Sequence, residues 1–133
     1  MEVRMDTYQN GISQLESMLG EAQARQIVAK FHSLSPAFAE EALSVVFGRT
    51  WARQGIDRRV RSLCSIGILA ALGRTNALGI NYQLALVNGV SEEEIVEALL
   101  QVAIYAGYPA ALDALAQWHQ FKGTAAQKES KEM

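Results

Sequence analysis

GRTWARQGIDRRVRSLCSIGILAALGRTNALGINYQLALVNGVSEEEIVEALLQVAIYAGYPAA, running from Gly48 to Ala111, is one apolar helical pattern after another, broken only by short turns. Asp57 opens a central helix, in which Val60, Leu63, Cys64, Gly67, Ile68 and Ala71 recur at i, i+3, i+4 spacing. Ile66, Leu69, Ala70 and Leu72 are apolar as well, so the second half of this helix calls for protein on nearly all sides. Gly67, Ala70 and Ala71 suit a close backbone approach, and Gly73 is a C-terminal stop. Asn76 to Val87 forms the next helix, closed by Asn88-Gly89. Ser91-Glu92-Glu93-Glu94 has the form of a capping box, in which the Ser91 hydroxyl takes the Glu94 amide and the Glu94 carboxylate reaches back. Three acids at that end also suit the helix dipole. Ile95, Val96, Leu99, Leu100, Val102, Ala103 and Ile104 again give wide apolar coverage, and Tyr108-Pro109 starts a last helix to about Phe121.

The flanks agree with this reading. Thr7 to Leu19 places Ile12, Leu15 and Leu19 on one stripe, with Gly20 as a stop. Glu21 to Phe31 turns Ile27, Val28 and Phe31 inward. Ser35-Pro36 is a helix start, with serine as the cap and proline at the first helical position. Phe38, Ala42, Val45 and Val46 form the apolar face that follows, which Gly48 is expected to end. No segment alternates like a strand. The pattern predicts an all-α fold, a compact bundle of about seven short helices in one domain over residues 1–122. Residues 123–133 are polar and lysine-rich and are expected to form a disordered tail.

The 133 residues carry a formal net charge of −2 and a pI of about 5.7. No long basic stripe is present, which argues against nucleic acid as a partner. The longest mainly apolar run, Ile66 to Leu72, is too short to span a bilayer, and residues 1–19 lack the apolar core of a signal peptide. Cys64 is the only cysteine, so internal disulfides are impossible. These features predict a soluble cytoplasmic protein. The broad apolar girth of Ile66–Leu72 and Val96–Ile104 predicts a homo-oligomer.

Few side chains here stand out as chemical groups. Cys64 lies on the apolar stripe of the central helix, which reads as a small buried hydrophobe with an inert thiol. His32 reads as a helix-end or surface residue, and His119 as a core-edge or interface residue. The histidines lack helical metal-ligand spacing, so no metal site is expected. Trp51 and Arg53 precede the central helix; an aromatic beside a cation could receive a carboxylate-bearing ring, or Trp51 could plug the bundle end while Arg53 faces solvent. Tyr105 and Tyr108 flank the Ala106-Gly107 turn and read as interface packing or as donors to an oxyanion. Asn81 puts an amide on the stripe of Leu78 and Ala85, where it must find a partner, structural or ligand.

The phrases W-A-R-Q-G-I-D, L-V-N-G-V-S-E-E-E-I and Y-A-G-Y-P-A-A, in that order and spacing, resemble the carboxymuconolactone decarboxylase family. That family sits within the superfamily that also holds alkyl hydroperoxidase D-like proteins. Tyr8-Gln9-Asn10-Gly11 and Met18-Leu19-Gly20 extend the resemblance over nearly the whole chain. It implies an alkyl hydroperoxidase D-like all-α fold, assembly into trimers or hexamers, and cofactor-free loss of CO₂ from a carboxylated muconolactone. Such a loss develops negative charge on an enolate-like group, which needs preorganised donors and a proton. The resemblance puts a glutamate in R-x-R-E-L and a histidine in H-x-x-x-A-L. This chain has Ser62 and Asn81 at those positions. Both can donate hydrogen bonds, but neither is a good proton shuttle.

Three functions fit these residues. The first is a divergent lyase or related cofactor-free enzyme acting on a small lactone or carboxylated ring. It would use Asn81 and Ser62 as catalytic residues, and Trp51, Arg53, Cys64 and Tyr105 to bind substrate. The second is a non-catalytic homo-oligomeric binding protein of the same fold. The third is a thiol peroxidase-like protein working through Cys64, although the hydroperoxidase branch uses a C-x-x-C pair and Cys64 has Gly67 three residues on.

Overall fold

A computed structural model describes the backbone of residues 2–132 and the side chains of residues 7–129. The described chain is all-α, without a strand. It divides into two compact helical units, Met1–Asp57 and Arg58–Met133.

The first unit holds α1 (Glu2–Leu19), α2 (Glu21–Leu34), α3 (Pro36–Glu41) and a wide-turn π-helical segment, Ala42–Thr50. Ser35 caps α3, its hydroxyl accepting the Phe38 amide at 3.1 Å, with Pro36 at the first turn. Leu15, Ala24, Ala39 and Leu43 form the buried centre, and Ile27, Val28 and Phe31 pack against it. The apolar face after Pro36 differs from the expected one. Phe38, Val45 and Val46 are exposed, while Ala39, Leu43 and Gly48 are buried.

The wide turn explains that difference. Its backbone bonds reach one residue further than in an α-helix, as when the Trp51 amide donates to the Val46 carbonyl at 2.8 Å. Residues five apart then line up, so Leu43 and Gly48 both face α1. Gly48 therefore does not end this helix; it lets α1 approach. A side chain at Gly48 would strike the Thr7 carbonyl, and one at Gly11 would strike the Leu43 carbonyl.

The second unit holds α4 (Arg58–Ala71), α5 (Thr75–Val87), α6 (Glu92–Ala106) and α7 (Tyr108–Glu132). Glycines with positive φ, Gly73, Gly89 and Gly107, stand at the helix boundaries. Ile66, Ala70, Leu78, Tyr82, Ile95, Leu99 and Trp118 make the core. The buried stripe of α4 is Ser62, Ile66 and Ala70. The expected stripe through Val60, Cys64 and Ile68 faces outward, and nothing stands within 4 Å of a side chain placed at Gly67.

The capping box forms as read from sequence. Ser91 Oγ accepts the Glu94 amide at 3.1 Å, and Glu94 Oε1 accepts the Ser91 amide at 3.0 Å. Helix α7 continues past Phe121 and through Gly123 to Glu132, where the sequence suggested a disordered tail. Ala125, Ala126, Gln127, Lys128 and Glu129 are good helix formers, and one glycine costs only about 1 kcal/mol.

Candidate functional site

Ser62 is the buried polar residue of α4. It falls four residues before Ile66 on the inward stripe, so its hydroxyl enters the core and must be satisfied there. Asn88, at the C-terminal end of α5, satisfies it: Asn88 Nδ2 donates to Ser62 Oγ at 3.1 Å. The oxygen is thus an acceptor in this bond, and the hydroxyl hydrogen remains to be donated.

One turn before Ser62, Arg59 pairs with Glu94 Oε2, while the other carboxylate oxygen of Glu94 closes the capping box. Glu94 therefore joins α4 to the start of α6. Two polar links thus leave α4, Ser62 to Asn88 and Arg59 to Glu94, and Glu94 and Ser91 bond each other at the start of α6.

Asn81 lies on α5 and is half-buried. Its Nδ2 donates to the Ala77 carbonyl at 2.8 Å, one turn back on the same helix. That bond fixes the amide plane and uses one of its two hydrogens, leaving a second N–H and the amide oxygen. No hydrogen bond joins Asn81 to Ser62. Asn88 sits opposite Ser62 instead, seven positions beyond Asn81, or about 10 Å along a helix axis.

Tyr82, beside Asn81, is fully buried. Its hydroxyl donates to the Ala114 carbonyl at 2.6 Å, and its ring meets Trp118 edge-on at 5.1 Å. Burial pushes its pKa up to about 12, so it stays protonated near neutral pH. Its role is to hold α5 against α7 and to fix the turn that carries Asn81.

The other candidates scatter. Cys64 is exposed, which corrects the expectation of a buried thiol. The reason is the rotation of α4: with Ser62 and Ile66 inward, position 64 points away. Tyr105 is 84% exposed and offers its whole ring to solvent. Trp51 belongs to the first unit, buried and stacked on Phe47 at 6.4 Å with 25° between the planes, so packing occupies its face. Arg53 is exposed. His119 is exposed, and His32 shares a 2.9 Å hydrogen bond with the Tyr8 hydroxyl. Among the described residues no group of three or more His, Cys, Asp or Glu side chains could hold a metal ion, and no helix is long and apolar enough to cross a membrane.

Sequence reading missed Asn88 as the partner of Ser62, because Asn-Gly reads first as a helix stop. The available signal was the buried serine itself, which required a donor near the turn between α5 and α6.

A family model for the carboxymuconolactone decarboxylase family matches residues 36–120. The match begins at the first residue of α3 and spans Ser62, Asn81 and Asn88. The chain is 31% identical to 4-carboxymuconolactone decarboxylase of Acinetobacter baylyi over 103 residues, 77% of each chain. It is 29% identical to nitrosuccinic acid decarboxylase of Metarhizium robertsii over 114 residues, 86% of this chain and 80% of that one.

Proposed function

The chain belongs to the carboxymuconolactone decarboxylase family, and we propose from that premise that it is a cofactor-free lyase removing CO₂ from a small carboxylated lactone or related acid. Two relatives named as decarboxylases for different acids support the reaction class and leave the substrate open. The observation that carries the proposal is Asn81. Its amide is pinned by the Ala77 carbonyl and keeps one N–H for a ligand.

Breaking the C–CO₂ bond leaves its electron pair on the carbon next to a carbonyl, and charge moves to that oxygen. Asn81 donates to this oxygen as the charge develops, without reorganising first. Ser62 is buried and acts as a positioning residue through Asn88. Water delivers the proton to carbon, since positions 62 and 81 hold no titrating group. The enzyme works in the cytoplasm as a homo-oligomer, a trimer or hexamer. The exposed Ile104, Tyr105, Tyr108 and Leu112 support self-association.

The test is CO₂ release from 4-carboxymuconolactone and from nitrosuccinate. It compares the wild type with Asn81→Ala and with Asn81→His combined with Ser62→Glu. A positioned acid–base group typically contributes about 10²–10⁴-fold. The wild type is expected to turn over 4-carboxymuconolactone poorly, and the double variant better. Robust wild-type turnover of that lactone, unaffected by Asn81→Ala, would overturn the assignment. Release from neither acid, nor from a wider panel of carboxylated lactones, would favour a non-catalytic binding protein.

The exposure of Cys64 favours one second reading, thiol peroxidase-like chemistry. The thiolate would attack a peroxide, forming a sulfenic acid and releasing an alcohol or water. With no other cysteine in the chain, an external thiol would have to reduce it. Peroxide consumption that needs added thiol and vanishes in Cys64→Ser identifies this reading.

A further inference from the structure

We propose that Asn88-Gly89 is a site of spontaneous covalent modification, deamidation, which the Ser62 hydroxyl holds in check. The chain has two Asn-Gly pairs, Asn10-Gly11 and Asn88-Gly89. A glycine after asparagine has no side chain to shield its amide nitrogen from the asparagine side chain. The two pairs stand in opposite settings. Asn10-Gly11 lies inside α1, where Gly11 is buried and a side chain in its place would strike the Leu43 carbonyl. Asn88-Gly89 lies beyond the end of α5, with Gly89 exposed at φ 94°. Backbone at a helix end opens far more readily than backbone inside a packed helix.

The reaction consumes one water and releases one ammonia. The Gly89 nitrogen gives its proton to solvent base and attacks Cγ of Asn88. A bond from that nitrogen to Cγ closes a five-membered succinimide ring. The Cγ–Nδ2 bond breaks, and Nδ2 gains a proton and leaves as ammonia. Water then opens the ring. Attack at Cγ leaves an aspartate at position 88, and attack at the backbone carbonyl leaves an isoaspartate.

The fold resists the first step through both reacting groups. The Gly89 N–H donates to the Leu86 carbonyl at 3.2 Å, with Asn88 at ψ 9°, so the nitrogen must swing towards the side chain before it attacks. Asn88 Nδ2 donates to Ser62 Oγ at 3.1 Å, which anchors the amide that has to turn. Ser62 is buried on α4 and cannot follow it. The same contact gives the product a partner. An ionised carboxylate only accepts, so at position 88 it takes the Ser62 hydroxyl hydrogen, and the direction of the bond reverses. Ageing thus puts a negative charge beside Ser62, where positions 62 and 81 hold no titrating group.

Incubating the folded protein at mildly alkaline pH and mapping its peptides by mass tests this. Asn88 should convert ahead of Asn10, and in urea their rates should draw together. Ser62→Ala should speed conversion at Asn88 by roughly 2- to 10-fold, the weight of one neutral hydrogen bond, and leave Asn10 unchanged. Tyr82→Phe removes a different buried bond from the same compact unit and should leave Asn88 at the wild-type rate. Asn88 unconverted, or converting after Asn10, overturns the site. The same lead persisting in urea overturns the part played by the fold. Ser62→Ala with no gain at Asn88, or no more than Tyr82→Phe gives, overturns the hold by Ser62. Unfolding of Asn88→Asp reads the product contact. There Ser62→Ala should shift the equilibrium by roughly 10-fold or more, beyond its shift in the wild type, because one partner is charged. An equal or smaller shift overturns the reversed bond.

Discussion

The Tyr82 hydroxyl donates to the Ala114 carbonyl at 2.6 Å, so a buried phenol on α5 is bonded to the backbone of α7. Burial raises the pKa of Tyr82 from 10.0 to about 12. The folded state therefore keeps this proton more tightly than the unfolded chain does. Its contribution is complete below about pH 10 and is lost as pH rises through about 12, a swing on the order of 3 kcal/mol. Urea unfolding across that range should show the decline, and Tyr82→Phe should flatten it. At neutral pH the same variant should cost about 0.5–1.5 kcal/mol for the lost bond.

Ser62 and Asn88 should behave as one unit. Ser62→Ala removes the acceptor and Asn88→Ala the donor of a bond reaching a buried hydroxyl. A double-mutant cycle on unfolding free energy should give a coupling of about 0.5–3 kcal/mol. Additive effects would show that the two side chains act separately.

The paired glycines of the first unit should resist any side chain. Gly11→Ala meets the Leu43 carbonyl and Gly48→Ala meets the Thr7 carbonyl, and backbone cannot step aside cheaply. Each should destabilise by at least about 1–3 kcal/mol. Gly79→Ala is the control: it lies inside α5 with nothing within 4 Å, and should stabilise by roughly 0.5–1 kcal/mol. Thermal unfolding of the three variants separates these cases by sign.

The start of α6 has a cap and an ion pair of unequal weight. Ser91→Ala should cost about 1 kcal/mol by removing the cap from the Glu94 amide. Arg59→Ala should cost at most about 1 kcal/mol, because both partners are more than a third exposed and water screens them. Added salt should shrink the Arg59 effect and leave the Ser91 effect unchanged.

Local chemistry was legible in the sequence where one residue type has one job. Ser91 and Glu94 gave a cap, Ser35 and Pro36 a start, and Gly73 a stop, and all three stand in the structure. The inward face of α4 was not legible, because a helix apolar on nearly all sides offers no contrast from which to choose one. Ser62 decided that face against Cys64 by finding Asn88, a partner far along the chain. Gly48 misled for a related reason. A glycine that ends a helix and a glycine that admits a neighbour look alike until the neighbour is known. The family resemblance located Ser62 and Asn81, but the Ser62–Asn88 bond depends on the register between α4 and α5, which short phrases do not encode.

The chain has two tryptophans, and each compact unit holds one: Trp51 in Met1–Asp57 and Trp118 in Arg58–Met133, both buried. Nature has thus placed an intrinsic fluorophore in each half. Trp51→Phe leaves emission that reports only on the C-terminal half, and Trp118→Phe leaves emission from the N-terminal half alone. Superimposable denaturation curves for the two variants would mark one cooperative melting event, whereas separated midpoints would mark two foldons.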